Sequence, residues 1–117
     1  MLRAVVDTNV LVSAILSPKG LPAQLVRAFQ AGAFQLVLSP SILEEVRRVC
    51  VAPEIRPFWR VPEEDVLTLL TDLERSALLV PGLTPVQAVR DPDDEKFLAA
   101  ALEAAAPYLV TSLPDTF

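Results

Sequence analysis

Three acidic positions stand out by their place in the hydrophobic pattern. Asp7 follows Ala4-Val5-Val6, an apolar run without polar alternation that predicts a central strand covered on both faces. An acid at the end of such a strand stands at the carboxyl edge, where open α/β sheets place their chemistry. Glu45 lies three residues after Ile42 and four before Val49, at the flank of a helical apolar face, whereas Glu44 falls on the solvent side. Asp94 precedes Leu98, Ala101 and Ala105 by four, seven and eleven positions. Helical geometry then aims Asp94 along the apolar stripe toward the sheet, while Glu95 and Glu103 point elsewhere. A carboxylate aimed at a core is costly unless it is hydrogen-bonded, paired or bound to a cation. Three that converge raise one another's pKa values, and a divalent ion removes the conflict. Such an ion activates water and offsets the charge that develops on a phosphodiester.

Capping competes with this chemistry. Asp7 or Thr8 suits the N-cap of the next helix, and the Glu44-Glu45 pair reads equally as an exposed one. In Asp91-Pro92-Asp93-Asp94, Asp91 fits the N-cap, Pro92 the first helical position and Asp94 the third, reaching back. Cap and ligand are compatible roles for Asp94, since helix N-termini lie beside strand ends.

Composition narrows what a cation site can be. The chain has no histidine and one cysteine, Cys50, which excludes an imidazole base and argues against a zinc site. What remains is a hard ion held by oxygen. The net charge of −5 and pI near 4.6 argue against holding nucleic acid mainly by long-range charge. Acidic metal sites are compatible with that balance. Glycines occur only at 20, 32 and 82, so no phosphate-cradling loop forms. A lone cysteine and an N-terminus without a leader pattern lead to the expectation of a cytoplasmic protein. No apolar run approaches the roughly 18 residues of a membrane span.

These positions need a scaffold. With 117 residues, 52% hydrophobic and a mean hydropathy of +0.43, residues 1–117 are expected to form one domain with a layered core. Val10, Leu11, Ala14 and Ile15 predict a first helix, and Leu21–Ala31 a second stopped by Gly32. Phe34–Leu38 reads as a strand, and Ser39-Pro40 opens a helix reaching Cys50. Pro53, Pro57 and Pro62 bracket a loop or broken short helix holding Arg56, Phe58, Trp59 and Arg60. The next helix starts with Glu63-Glu64-Asp65 and buries Val66, Leu67, Leu69, Leu70 and Leu73. Ala77–Val80 is a third strand. The last helix runs from Asp91 through Phe97, Leu98, Ala101, Leu102 and Ala105, and Tyr108–Thr111 is a fourth strand. Strands alternating with helices give a three-layer α/β fold with a parallel sheet.

Four segments, in order, carry a family resemblance: Val5 to Ala14, Leu38-Ser39 through Glu44-Glu45-Val46, Asp91 to Leu98, and Tyr108-Leu109-Val110-Thr111. Together they resemble the PIN-domain family, in particular its branch of toxin components of bacterial and archaeal toxin–antitoxin systems. The resemblance spans residues 2 to 111. It implies a parallel sheet of about four strands flanked by helices, and a Mg²⁺- or Mn²⁺-dependent endoribonuclease acting on single-stranded RNA. It also implies that Asp7, Glu45 and Asp94 bind the metal. Asn9, Ser39 and Thr111 match polar positions that orient these acids, and Asp91 matches an accessory acid. A cognate antitoxin that blocks the site is a further implication.

One departure stands out. Ser112 and Leu113 take the place of the family's usual Gly-Asp, and Asp115 is the next acid and the candidate replacement. The family's following segment is also missing, so a domain shortened at its C-terminus is expected. The fourth strand is then an open edge that invites pairing with another chain, for example in a homodimer. A catalytically impaired PIN-fold module acting through protein binding is therefore the alternative function. Arg47, Arg48, Arg56 and Arg60, with Phe58 and Trp59, suit an RNA path, a helix C-terminus or a protein interface. A phosphoacceptor role for Asp7 of the haloacid-dehalogenase type needs an Asp at position 9, where Asn9 stands.

Overall fold

The computed structural model describes residues 2–17, 19–86 and 94–110. Strand β1 (Arg3–Val6) buries Ala4, Val5 and Val6 in succession. Neighbouring strand side chains point to opposite faces, so this burial means that the sheet is covered on both sides. Strand β2 (Gln35–Leu38) repeats the pattern with Leu36, Val37 and Leu38. Strands β3 (Leu78–Leu79) and β4 (Tyr108–Val110) are shorter and partly open to solvent. All pairings are parallel, in the order β3-β2-β1-β4.

Among the described residues five helices flank the sheet: α1 (Thr8–Leu16), α2 (Leu21–Gln30), α3 (Pro40–Cys50), α4 (Glu63–Ser76) and α5 (Glu95–Glu103). A single 3₁₀ turn at Arg56–Phe58 fills the proline-bracketed segment between α3 and α4. The three-layer α/β architecture is thus the one that the alternation of patterns predicts.

The strand order locates the site. The chain steps outward from β1 to β2 to β3, then returns across the sheet to lay β4 on the other side of β1. That reversal makes the carboxyl ends of β1 and β4 a topological switch point, where such sheets bind ligands. The Asp7 N–H closes the junction by donating to the Val110 carbonyl at 2.8 Å.

Local chemistry explains the helix ends. Gly32, at φ +83°, stops α2, with the Ala33 N–H reaching back to the Ala28 carbonyl. Ser39 caps α3 by accepting from the Ile42 N–H at 3.3 Å, with Pro40 in the first turn.

Helix α4 buries a narrower stripe than expected, and α5 differs in phase. In α4 the buried stripe is Val66, Leu70 and Leu73, and Leu67 is 48% exposed, because it sits about 100° round the helix from Val66. Helix α5 buries Phe97, Ala99 and Ala100, followed by Ala104 just past its end. Leu98 and Ala101 are only half-buried, Leu102 is 62% exposed, and Ala105 lies beyond the helix at φ +51°. The small alanine face lets α5 approach β1 and β4 closely, leaving the bulkier Leu102 outside. The expected start at Asp91-Pro92 and the strand residue Thr111 lie outside the described residues. Among the described residues no helix is long and apolar enough to cross a membrane.

Candidate functional site

Asp7 is the N-cap of α1, its Oδ1 accepting from the Asn9 N–H at 2.9 Å. The capping geometry and the site placement coincide, for the same turn sets the Asp7 carboxylate at the switch point. Asn9 acts on Asp7 through its backbone, while its side chain is exposed. The next residue, Thr8, is 2% exposed. Its Oγ1 is the one buried side-chain polar atom without a hydrogen-bond partner among the described residues.

Glu45 comes in from α3, with its side chain 25% exposed, and its Oε2 accepts from the Lys96 ammonium of α5 at 2.9 Å. Arg48 approaches the same oxygen at 4.0 Å from the solvent side. Burial works to raise the Glu45 pKa, but the Thr8 hydroxyl beside it, Lys96 and Arg48 together outweigh that and hold it below the ordinary 4.5. The hydroxyl lies beside the carboxylate but meets hydrogen-bond geometry with no partner among the described residues. The Lys96 side chain is 15% exposed, and its ammonium also lies 4.7 Å from the centroid of the buried Phe97 ring. Sequence reasoning weighed Thr8 only as a helix cap and did not single out Lys96. The available signal was a cation in the first turn of a helix, next to Asp94-Glu95, where the macrodipole disfavours it.

Asp94 does not lead the apolar stripe. It is the N-cap residue of α5, exposed and without a side-chain capping bond, because the stripe runs through Phe97, Ala100 and Ala104 and leaves it on the flank. Among the described residues no three acidic or thiol side chains gather as a metal-holding group. Asp91, Thr111 and Asp115, expected to support or complete the site, lie outside the described residues. What the fold does bring together is Glu45, Thr8 and Lys96, from α3, α1 and α5.

The carboxyl end of β2 is fixed by backbone packing. Ser39 is fully buried at the end of β2. Gly82, at φ +72°, passes so close that an added Cβ would stand 2.7 Å from the Ser39 Cβ. Glu103, expected to point away from the core, clasps this loop by accepting from the Gly82 and Thr84 N–H groups at 2.7 and 2.8 Å. The Thr84 and Gly82 amides keep its carboxyl below the usual range.

The PIN domain family model matches residues 3–112. The chain belongs to the PIN domain family. The uncharacterized protein MJ1680 of Methanocaldococcus jannaschii is 31% identical over 105 residues, covering 90% of this chain and 67% of that relative. No solved structure matches the chain. The PIN domain is a nuclease-type fold, and PIN domains typically use divalent metal ions.

The donors of this PIN domain fit such an ion. Asp7, Thr8 and Glu45 offer oxygen alone, the Thr8 hydroxyl has no hydrogen-bond partner among the described residues, and the Lys96 ammonium on Glu45 marks a seat that accepts positive charge. Three residues of the basic segment after Glu45 make scaffold contacts. Arg47 pairs with Glu74 of α4. Arg56 donates to the Val51 carbonyl and lies over the Trp59 ring, and Trp59 Nε1 donates to the Cys50 carbonyl at 3.0 Å. Both thereby satisfy carbonyls at the end of α3, which is the helix-terminus role. Phe58 remains exposed.

Proposed function

We propose that this PIN domain is a Mg²⁺- or Mn²⁺-dependent endoribonuclease that hydrolyses phosphodiesters of single-stranded RNA. Asp7, Glu45 and Asp94 hold the ion, Asp91 is an accessory acid, and Asp115 stands in for the family's fourth acid. The observation that carries this reading is the seat at Glu45. It is a largely buried carboxylate at the switch point, beside a buried hydroxyl without a partner among the described residues, and a cation already sits on it.

When bound, a divalent cation of this class supplies Lewis acidity, lowering the pKa of water and offsetting charge on the phosphate. The protein's part is preorganisation. The Asn9 amide pins one Asp7 oxygen, and the bond from the Asp7 N–H to Val110 fixes its backbone. Thr8, Lys96 and Arg48 favour the ionised form of Glu45 against the opposing effect of its burial. With no histidine in the chain, protons move between carboxylates and solvent.

The toxin role, a cognate antitoxin and a cytoplasmic setting follow the sequence resemblance. Self-association is supported by the edge strand β4, whose Tyr108 and Leu109 are exposed. A second reading, a catalytically impaired PIN module that binds protein, is favoured by the exposed Asp94 and by Leu113 at the position of the usual acid. Cleavage of end-labelled single-stranded RNA by wild type and Asp7→Asn, with and without Mn²⁺, separates the two. Ion-dependent cleavage lost in Asp7→Asn is the expected result, and ion binding with no cleavage at any concentration leaves the binding module.

A further inference from the structure

We propose, building on the metal-dependent reading of the same site, that Lys96 is a tethered competitor for the divalent ion, its ammonium holding Glu45 in the metal-free protein and leaving when the ion takes that carboxylate. Three observations carry this. Lys96 Nζ lies 2.9 Å from Glu45 Oε2, an oxygen that an ion at this seat would need. The ammonium is also held over the Phe97 ring at 4.7 Å, so it is stationed at the seat rather than sweeping through solvent. The neighbouring Thr8 is 2% exposed, and its Oγ1 has no hydrogen-bond partner among the described residues. A tripositive pair of charges, ammonium plus divalent ion, on one carboxylate is repulsive, so the two cations exclude each other.

Lys96 is one of two lysines in the chain and the only cation in the first turn of α5. A helix N-terminus repels positive charge, so α5 itself gives no reason for a lysine there, and the Glu45 contact does. The positioning consequence is direct. Glu45 is kept extended toward α5 before the ion arrives, and ion affinity is set partly by how readily Lys96 lets go.

The test is Mn²⁺ titration by calorimetry on wild type, Lys96→Met and Lys96→Arg, with thermal melts of each with and without Mn²⁺. Methionine keeps the stem over Phe97 and removes the charge. Exposed ion pairs are worth little and buried ones much more, and for this largely buried pair the expected gain in Mn²⁺ affinity for Lys96→Met is about tenfold, equal to about 1.4 kcal/mol. Lys96→Arg is expected to bind like wild type, and the Mn²⁺-induced rise in melting temperature is expected to be larger in Lys96→Met. A pair that only braces α3 against α5 would lower the melting temperature of Lys96→Met and leave its Mn²⁺ affinity unchanged, which overturns this inference and spares the metal-dependent reading. Absence of Mn²⁺ binding in all three proteins overturns both.

Discussion

Gly82→Ala is the sharpest probe of how the carboxyl end of β2 is packed. Gly82 sits at φ +72°, where a side chain costs roughly 1–2 kcal/mol. Its new Cβ would meet the Ser39 Cβ at 2.7 Å and the Ser39 Oγ at 3.0 Å. Ser39 is fully buried and caps α3, so it has nowhere to retreat, and overpacking of this kind adds about 1–3 kcal/mol. The sum, about 2–5 kcal/mol, corresponds to a fall in melting temperature of roughly 8–20 °C for a domain of this size. Gly32→Ala is the internal control, since Gly32 has the same kind of φ, +83°, and nothing within 4 Å of an added Cβ. It is expected to lose only about 1 kcal/mol. Thermal and urea denaturation followed by circular dichroism read both variants. The double variant Ser39→Gly with Gly82→Ala is expected to recover most of the contact part, because glycine replaces serine at an N-cap for only about a few tenths of a kcal/mol. Equal losses for Gly82→Ala and Gly32→Ala, or no recovery in the double variant, would refute the close packing of this loop on the end of β2.

Glu45→Gln is expected to cost about 1 kcal/mol at pH 7 through the lost Lys96 pair. The Glu45 pKa is lowered on folding, so its contribution is full above about pH 4.5 and lost as pH falls through the native value; the stability gap between wild type and the variant should therefore close in acid melts. Thr8→Val removes the buried hydroxyl that helps hold the Glu45 carboxylate, so metal-free protein is expected to melt slightly below wild type at neutral pH, while Mn²⁺ affinity in calorimetric titration falls several-fold. Burial pushes the Cys50 thiol up to about 11, so a thiol reagent at pH 8 should label urea-unfolded protein and spare the native state.

Much of the scaffold was legible because the signals were local and strong. The unbroken apolar run of β1 and the Ser39-Pro40 start of α3 each leave one physical solution, and both occur as read. The phase of α5 was not legible. Alanines at 99, 100, 101, 104 and 105 are nearly equivalent in hydrophobicity, so periodicity followed Leu98 and Leu102, whereas close approach to the sheet selects the smaller face. That misphasing also turned Asp94 inward on paper. Asp7 was legible as both cap and edge acid, and the two descriptions proved to be one geometry. Lys96 was illegible as a partner of Glu45, since 51 positions separate them and only the return of the chain to the far side of β1 brings α5 to α3.

The central claim is that oxygen ligands at the switch point hold a divalent ion, and Asp7→Asn tests it most directly. Asparagine caps helices about as well as aspartate, so the variant is expected to keep its fold and melting temperature. Mn²⁺ titration by calorimetry should then give binding in wild type and none in Asp7→Asn. Wild-type affinity in a folded Asp7→Asn, or no Mn²⁺ binding by wild type, would contradict the claim.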